Sequence, residues 1–105
     1  MNIEELKNKL RKYEKNDIIV SEHAVMRADF RNTSIEEVKE NICNPEKLVY
    51  FQEKQAKGSG EKKYECYFTY NKLLHHKYII VTNGKVIIVT IIIINRRLQH
   101  LFRRR

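Results

Sequence analysis

Lys77-Tyr78-Ile79-Ile80-Val81-Thr82-Asn83-Gly84-Lys85-Val86-Ile87-Ile88-Val89-Thr90-Ile91-Ile92-Ile93-Ile94 is the stretch that decides the fold. Two runs rich in Ile and Val, whose branched β-carbons suit a pleated sheet, flank an Asn-Gly pair. Asn-Gly favours the type I′ turn that joins antiparallel strands through two residues, so strands over 74–82 and 85–94 are expected. A two-residue loop pairs Val81 with Val86, Ile79 with Ile88 and Lys77 with Thr90 on one face. It pairs His76 with Ile91, Tyr78 with Val89 and Ile80 with Ile87 on the other. Both faces carry Ile and Val, which predicts a sheet buried on both sides near its centre.

Upstream, alternation over 63–70 (Tyr64, Cys66, Phe68 and Tyr70 against Glu65, Tyr67 and Thr69) reads as a further strand, and Lys47 to Phe51 as another. Residues 52–61, with Gly58-Ser59-Gly60, read as a polar loop. Before them the period is helical. Ile3, Leu6, Leu10 and Tyr13 mark an amphipathic helix over 2–15. The short run Ile18-Ile19-Val20 leads to Ser21, an N-cap for a helix over 22–30. Ser34 and Glu37 form a capping-box pattern for a helix over 35–43, which Asn44-Pro45 stops. The expected fold is therefore α+β: two or three N-terminal helices packed on a four-stranded antiparallel sheet. It occupies residues 1–95 as one domain, followed by an arginine-rich tail over 96–105.

The 105-residue chain carries 21 Lys+Arg against 13 Asp+Glu, a formal net charge of +8. Such an excess attracts polyanions, although basic composition also serves solubility or thermal adaptation. Placement favours a polyanion, because Arg96, Arg97, Arg103, Arg104 and Arg105 crowd the last ten residues. Nucleic acid is the expected partner. The tail reads as an RNA handle, as a solvated extension, or as a short helix built on Leu98, Leu101 and Phe102.

The N-terminus has charges where a signal peptide needs an apolar core, which points to the cytoplasm. Val86 to Ile94 spans about half of the ~20 residues that a membrane-crossing helix needs. Cys43 and Cys66 lack metal-ligand spacing and read as free buried thiols, with a disulfide as the alternative in a hyperthermophile. No metal site or cofactor motif is recognisable.

On the second helix His23, Arg27 and Arg31 recur every four residues and form one stripe. An imidazole beside two forked guanidiniums suits a phosphate, and the same stripe also suits a plain solvated face. His75 and His76, consecutive on a strand, point to opposite faces and read as strand-end residues. Tyr64, Tyr67, Tyr70 and Tyr78 read as core aromatics, with base stacking as the alternative.

Ser21-Glu22-His23-Ala24-Val25-Met26-Arg27-Ala28-Asp29-Phe30-Arg31, a following helix that ends in Asn44-Pro45-Glu46, and the late strand Val86-Ile87-Ile88-Val89-Thr90-Ile91 resemble a family of short prokaryotic proteins. That family has a His-Ala-x-x-Arg helix and a terminal Val-Thr strand, and it is grouped with RelE-like and BrnT-like toxins. The resemblance covers residues 18–95. It implies a RelE-like or barnase-like fold and a metal-independent endoribonuclease, the toxin of a toxin–antitoxin pair, with RNA and a cognate antitoxin as partners. His23 then matches the motif histidine, Arg27 and Arg31 its basic helix residues, and Thr90 the threonine of the last core strand. In this reading His23, Arg27 and Thr90 are catalytic, while Arg31, Lys77, Arg96, Arg97 and Arg103 bind RNA. The tail extends past the usual end of the family. The rival classes are a basic nucleic-acid-binding protein without catalysis and an interaction protein whose tail docks on an acidic partner.

Overall fold

The computed structural model describes residues 1–95. It has three helices and five strands: α1 (Ile3–Arg11), β1 (Ile18–Val20), α2 (Glu22–Phe30), α3 (Ile35–Cys43), β2 (Leu48–Lys54), β3 (Lys62–Thr69), β4 (Leu74–Thr82) and β5 (Val86–Asn95). The class is α+β, as the sequence implies.

Each helix starts where a side chain satisfies its free amides. The Asn2 side chain accepts from the Glu5 amide while Glu5 accepts from the Asn2 amide, a complete capping box. Ser21 accepts from Ala24 N at 3.0 Å, and Ser34 accepts from Glu37 N at 3.4 Å. Of the expected helix over 2–15, only Ile3–Arg11 forms. Asp17 takes the amide of Glu14 at 2.9 Å, a local bond that competes with helix and turns the chain toward the sheet.

That turn produces an element hidden in the sequence. Ile18–Val20 lies parallel to β5, pairing with Val86, Ile87 and Ile88, and makes the sheet five-stranded and mixed, in the order β1-β5-β4-β3-β2. The four-stranded antiparallel expectation is corrected by this short edge strand.

The hairpin also departs from its expected register. Thr82 pairs with Val86, so the loop is Asn83-Gly84-Lys85. Gly84 alone in this loop has positive φ, at +73°, whereas a type I′ turn needs it at both central residues. Further along, Ile80 pairs with Ile88 but Ile79 with Thr90, leaving Val89 as a bulge. Val81 therefore faces Ile87, Ile79 faces Thr90, Lys77 faces Ile92, Tyr78 faces Ile91 and His76 faces Ile93. The Val89 carbonyl accepts from the Ser21 hydroxyl at 2.9 Å, and the Ile88 carbonyl accepts from Ser21 N at 3.0 Å. One serine thus caps α2 and fastens it to the bulge.

The helices cover one face of the sheet. Leu6 and Leu10 from α1, Ala24 and Ala28 from α2, and Val38 and Ile42 from α3 pack on Tyr64, Cys66, Phe68, Tyr78, Ile80, Val86, Ile88 and Ile91. The opposite face holds Ile79, Val81, Ile87 and Ile92 half-buried, and no described helix lies over it. The expectation of burial on both sides is corrected accordingly. Burying the inner row alone removes several large side chains from water, each worth about 1.5–3 kcal/mol.

Candidate functional site

On α2, the stripe read from the sequence divides in two. His23 and Arg27 are exposed and share a shallow groove of about 270 Å³ with Met26 and Phe30. Arg31, the C-terminal cap of this helix, enters a different pocket. His23 and Arg31 are eight residues apart, roughly 12 Å along the axis at the usual helical rise. They do not serve one phosphorus atom together.

The second pocket, about 260 Å³, opens where the α2–α3 link meets the end of the sheet. Arg31, Asn32, Thr33 and Glu37 form its helix side, and Tyr70, Leu74, His76 and Ile93 its sheet side. Local bonds hold both walls. Asn32 takes a left-handed φ of 54°, which asparagine tolerates, and Thr33 N donates to Ala28 O at 2.8 Å. Across the opening, Asn71 Oδ1 accepts from Leu73 N and Leu74 N at 2.8 and 2.9 Å, pinning the β3–β4 turn.

His76 sits on the floor of this pocket, only 3% exposed. The Tyr70 ring stacks flat on it at 4.5 Å between centroids, while 49% of Tyr70 stays exposed. His76 Nδ1 lies 3.0 Å from the Tyr78 hydroxyl, which accepts from Asn41 Nδ2 at 2.9 Å. Burial holds the imidazole below the usual histidine value; the Glu37 carboxylate pulls the other way, and Lys47 adds to the depression. Burial likewise raises the Tyr78 phenol, so it keeps its proton at neutral pH. Beside them, Arg31 Nε is buried without a hydrogen-bond partner. The pocket therefore combines a guanidinium, an imidazole and a carboxylate.

Sequence reasoning read His76 as a strand end, Tyr70 and Tyr78 as core aromatics or base-stacking rings and Glu37 as a capping residue, and it gave Asn41 no part. The available signal was phase. His76 shares its row on β4 with Tyr78, Ile80 and Thr82, all buried, so the histidine occupies an inward position and not a strand end.

Lys77 and Thr90 lie on the other side of the sheet. Lys77 forms an ion pair with Glu65 at 2.9 Å and stands over the Tyr67 ring. Burial opposes its charge, but bonds to Glu65 and Tyr67 outweigh this and raise its pKa. Thr90 pairs with Ile79, so the expected Lys77–Thr90 juxtaposition is absent, and both are separated from α2 by the sheet. Of the four tyrosines read as core, Tyr64 and Tyr78 are buried, whereas Tyr67 is half-buried and Tyr70 exposed. Arg96, Arg97 and Arg103 lie outside the described residues; Arg96 and Arg97 directly follow Asn95, whose partner Leu74 lines the pocket.

Cys43 and Cys66 are free thiols; Cys66 is buried as expected and burial pushes it up to about 12, whereas Cys43 is only half-buried. Among the described residues, no group of three or more His, Cys, Asp or Glu is placed to hold a metal, and no helix is long and apolar enough to cross a membrane. No family model, curated protein or solved structure matches the chain.

Proposed function

We propose that the chain is a RelE-like, metal-independent endoribonuclease whose centre is the pocket holding Arg31, Glu37 and His76. The convergence of these three side chains in one cleft is the observation that carries the reading. Cleavage by the ribose 2′-hydroxyl needs a group to take its proton and donors to hold the phosphate oxygens as charge develops. Glu37 takes the proton, and Arg31 with His76 holds the oxygens. Attack of the 2′-oxygen forms the new P–O bond, the bond to the 5′-oxygen breaks, and water at the open mouth protonates that leaving oxygen. The products are a 2′,3′-cyclic phosphate and a 5′-hydroxyl.

His23 and Arg27 then bind the neighbouring backbone, with exposed Phe30 in the same groove for a base. Arg96, Arg97 and Arg103 add sequence-independent attraction, because phosphate contacts position without specifying. The resemblance of α2 and β5 supports a toxin working on RNA in the cytoplasm, with an antitoxin as its cognate partner. Incubating RNA with the wild type and with Arg31→Ala and Glu37→Gln in the presence of chelator tests this. Cleavage by the wild type alone is expected. Binding without cleavage by the wild type would leave a nucleic-acid-binding protein in its place.

A further inference from the structure

We propose that Tyr78 and Asn41 hold His76 as the neutral Nε2–H tautomer, so that His76 and Arg31 form a built binding site for a phosphate-type oxyanion. The chain of donors decides the tautomer. Asn41 Nδ2 donates to the Tyr78 oxygen, and the buried phenol proton then needs an acceptor. His76 Nδ1, at 3.0 Å, is that acceptor. A neutral imidazole that accepts at Nδ1 carries its proton on Nε2. Protonating the ring would place two donors face to face at Nδ1, which reinforces the burial that already disfavours the cation. His76 therefore acts as a fixed hydrogen-bond donor and not as a base.

Arg31 supplies the charge. Its Nε is buried and unpartnered, and such a donor keeps its full desolvation cost until an acceptor arrives. An oxyanion held between Arg31 and His76, which both line the pocket, would take a hydrogen bond from each. Glu37 opposes it while ionised, which sets a distinctive expectation: Glu37→Gln strengthens anion binding. The site needs only the pocket, and it stands for a binding protein as well as for a ribonuclease.

Nitrogen NMR of histidine-labelled full chain tests the proposal with inorganic phosphate as the probe. Comparison with His76→Gln assigns the His76 signals. The wild type is expected to show an unprotonated Nδ1 and a protonated Nε2 at neutral pH, and phosphate shifts Nε2 to saturation. Arg31→Ala weakens phosphate about tenfold or more, the loss expected for a charged hydrogen bond. Glu37→Gln tightens it, and Tyr78→Phe lets the two tautomers mix. A protonated Nδ1 in the wild type would overturn the tautomer. A Nε2 signal that phosphate leaves in place, or moves no more than chloride does, would overturn the anion site. None of these readouts depends on RNA cleavage, so the two proposals fail separately.

Discussion

The Tyr78 hydroxyl lies 3.0 Å from His76 Nδ1, two residues away on the same strand and the same face, and links it to Asn41 on α3. This bridge ties the sheet to the helix layer at the floor of the pocket. Removing the hydroxyl in Tyr78→Phe leaves Asn41 Nδ2 and His76 Nδ1 buried without it. A loss of about 1–3 kcal/mol in urea denaturation is expected. Unchanged stability would show that the bridge contributes nothing to the fold.

Acid should weaken the protein through His76. Its folded pKa is depressed by burial, so the unfolded chain takes up the proton first as pH falls below the ordinary value of about 6.5. Stability from this group is complete above that value, declines below it, and levels off under the folded pKa. Melting temperatures recorded between neutral and mildly acid pH should fall more steeply for the wild type than for His76→Gln. Parallel curves would remove His76 as the cause.

Lys77 belongs to stability and not to the site. Lys77→Ala leaves a largely buried Glu65 carboxylate without its partner, and a cost of about 1–3 kcal/mol follows. RNA cleavage at a temperature where the variant is folded should be unchanged. Cleavage lost in Lys77→Ala but kept in Arg31→Ala would move the centre to the other face of the sheet.

The tail is tested by truncation after Asn95, which removes five arginines and no acidic residue. If these arginines neutralise phosphates, RNA affinity falls alike for all sequences and the salt dependence becomes flatter. An unchanged salt slope would assign them no part in binding.

Much of the fold was legible because local rules and tertiary structure agree. Ser21 and Ser34 mark their helices, and the alternation of Tyr64, Cys66 and Phe68 marks the inner row of β3. Ile18–Val20 was too short to announce a strand, and its pairing with Val86–Ile88 is nonlocal. The bulge at Val89 left no local sign either, because its free carbonyl is satisfied by Ser21, distant in sequence. The three-residue loop and this extra residue each shift the pairing by one, so Lys77 meets Ile92 in place of Thr90. The α2 stripe included Arg31, which lines the pocket, but helix spacing says nothing of what a cap residue meets across a cleft. His76 and Glu37 reach that cleft from β4 and α3, elements whose approach only the folded chain reveals.

A DNA oligonucleotide containing one ribonucleotide tests whether the Arg31–Glu37–His76 pocket cleaves RNA through the RNA's own 2′-hydroxyl. With chelator present, the wild-type chain should cut only on the 3′ side of that ribonucleotide and leave a 2′,3′-cyclic phosphate, while Glu37→Gln leaves the strand intact. Cleavage of the all-DNA strand, or equal cleavage by Glu37→Gln, would show that the pocket does not act through the 2′-hydroxyl with Glu37 as base.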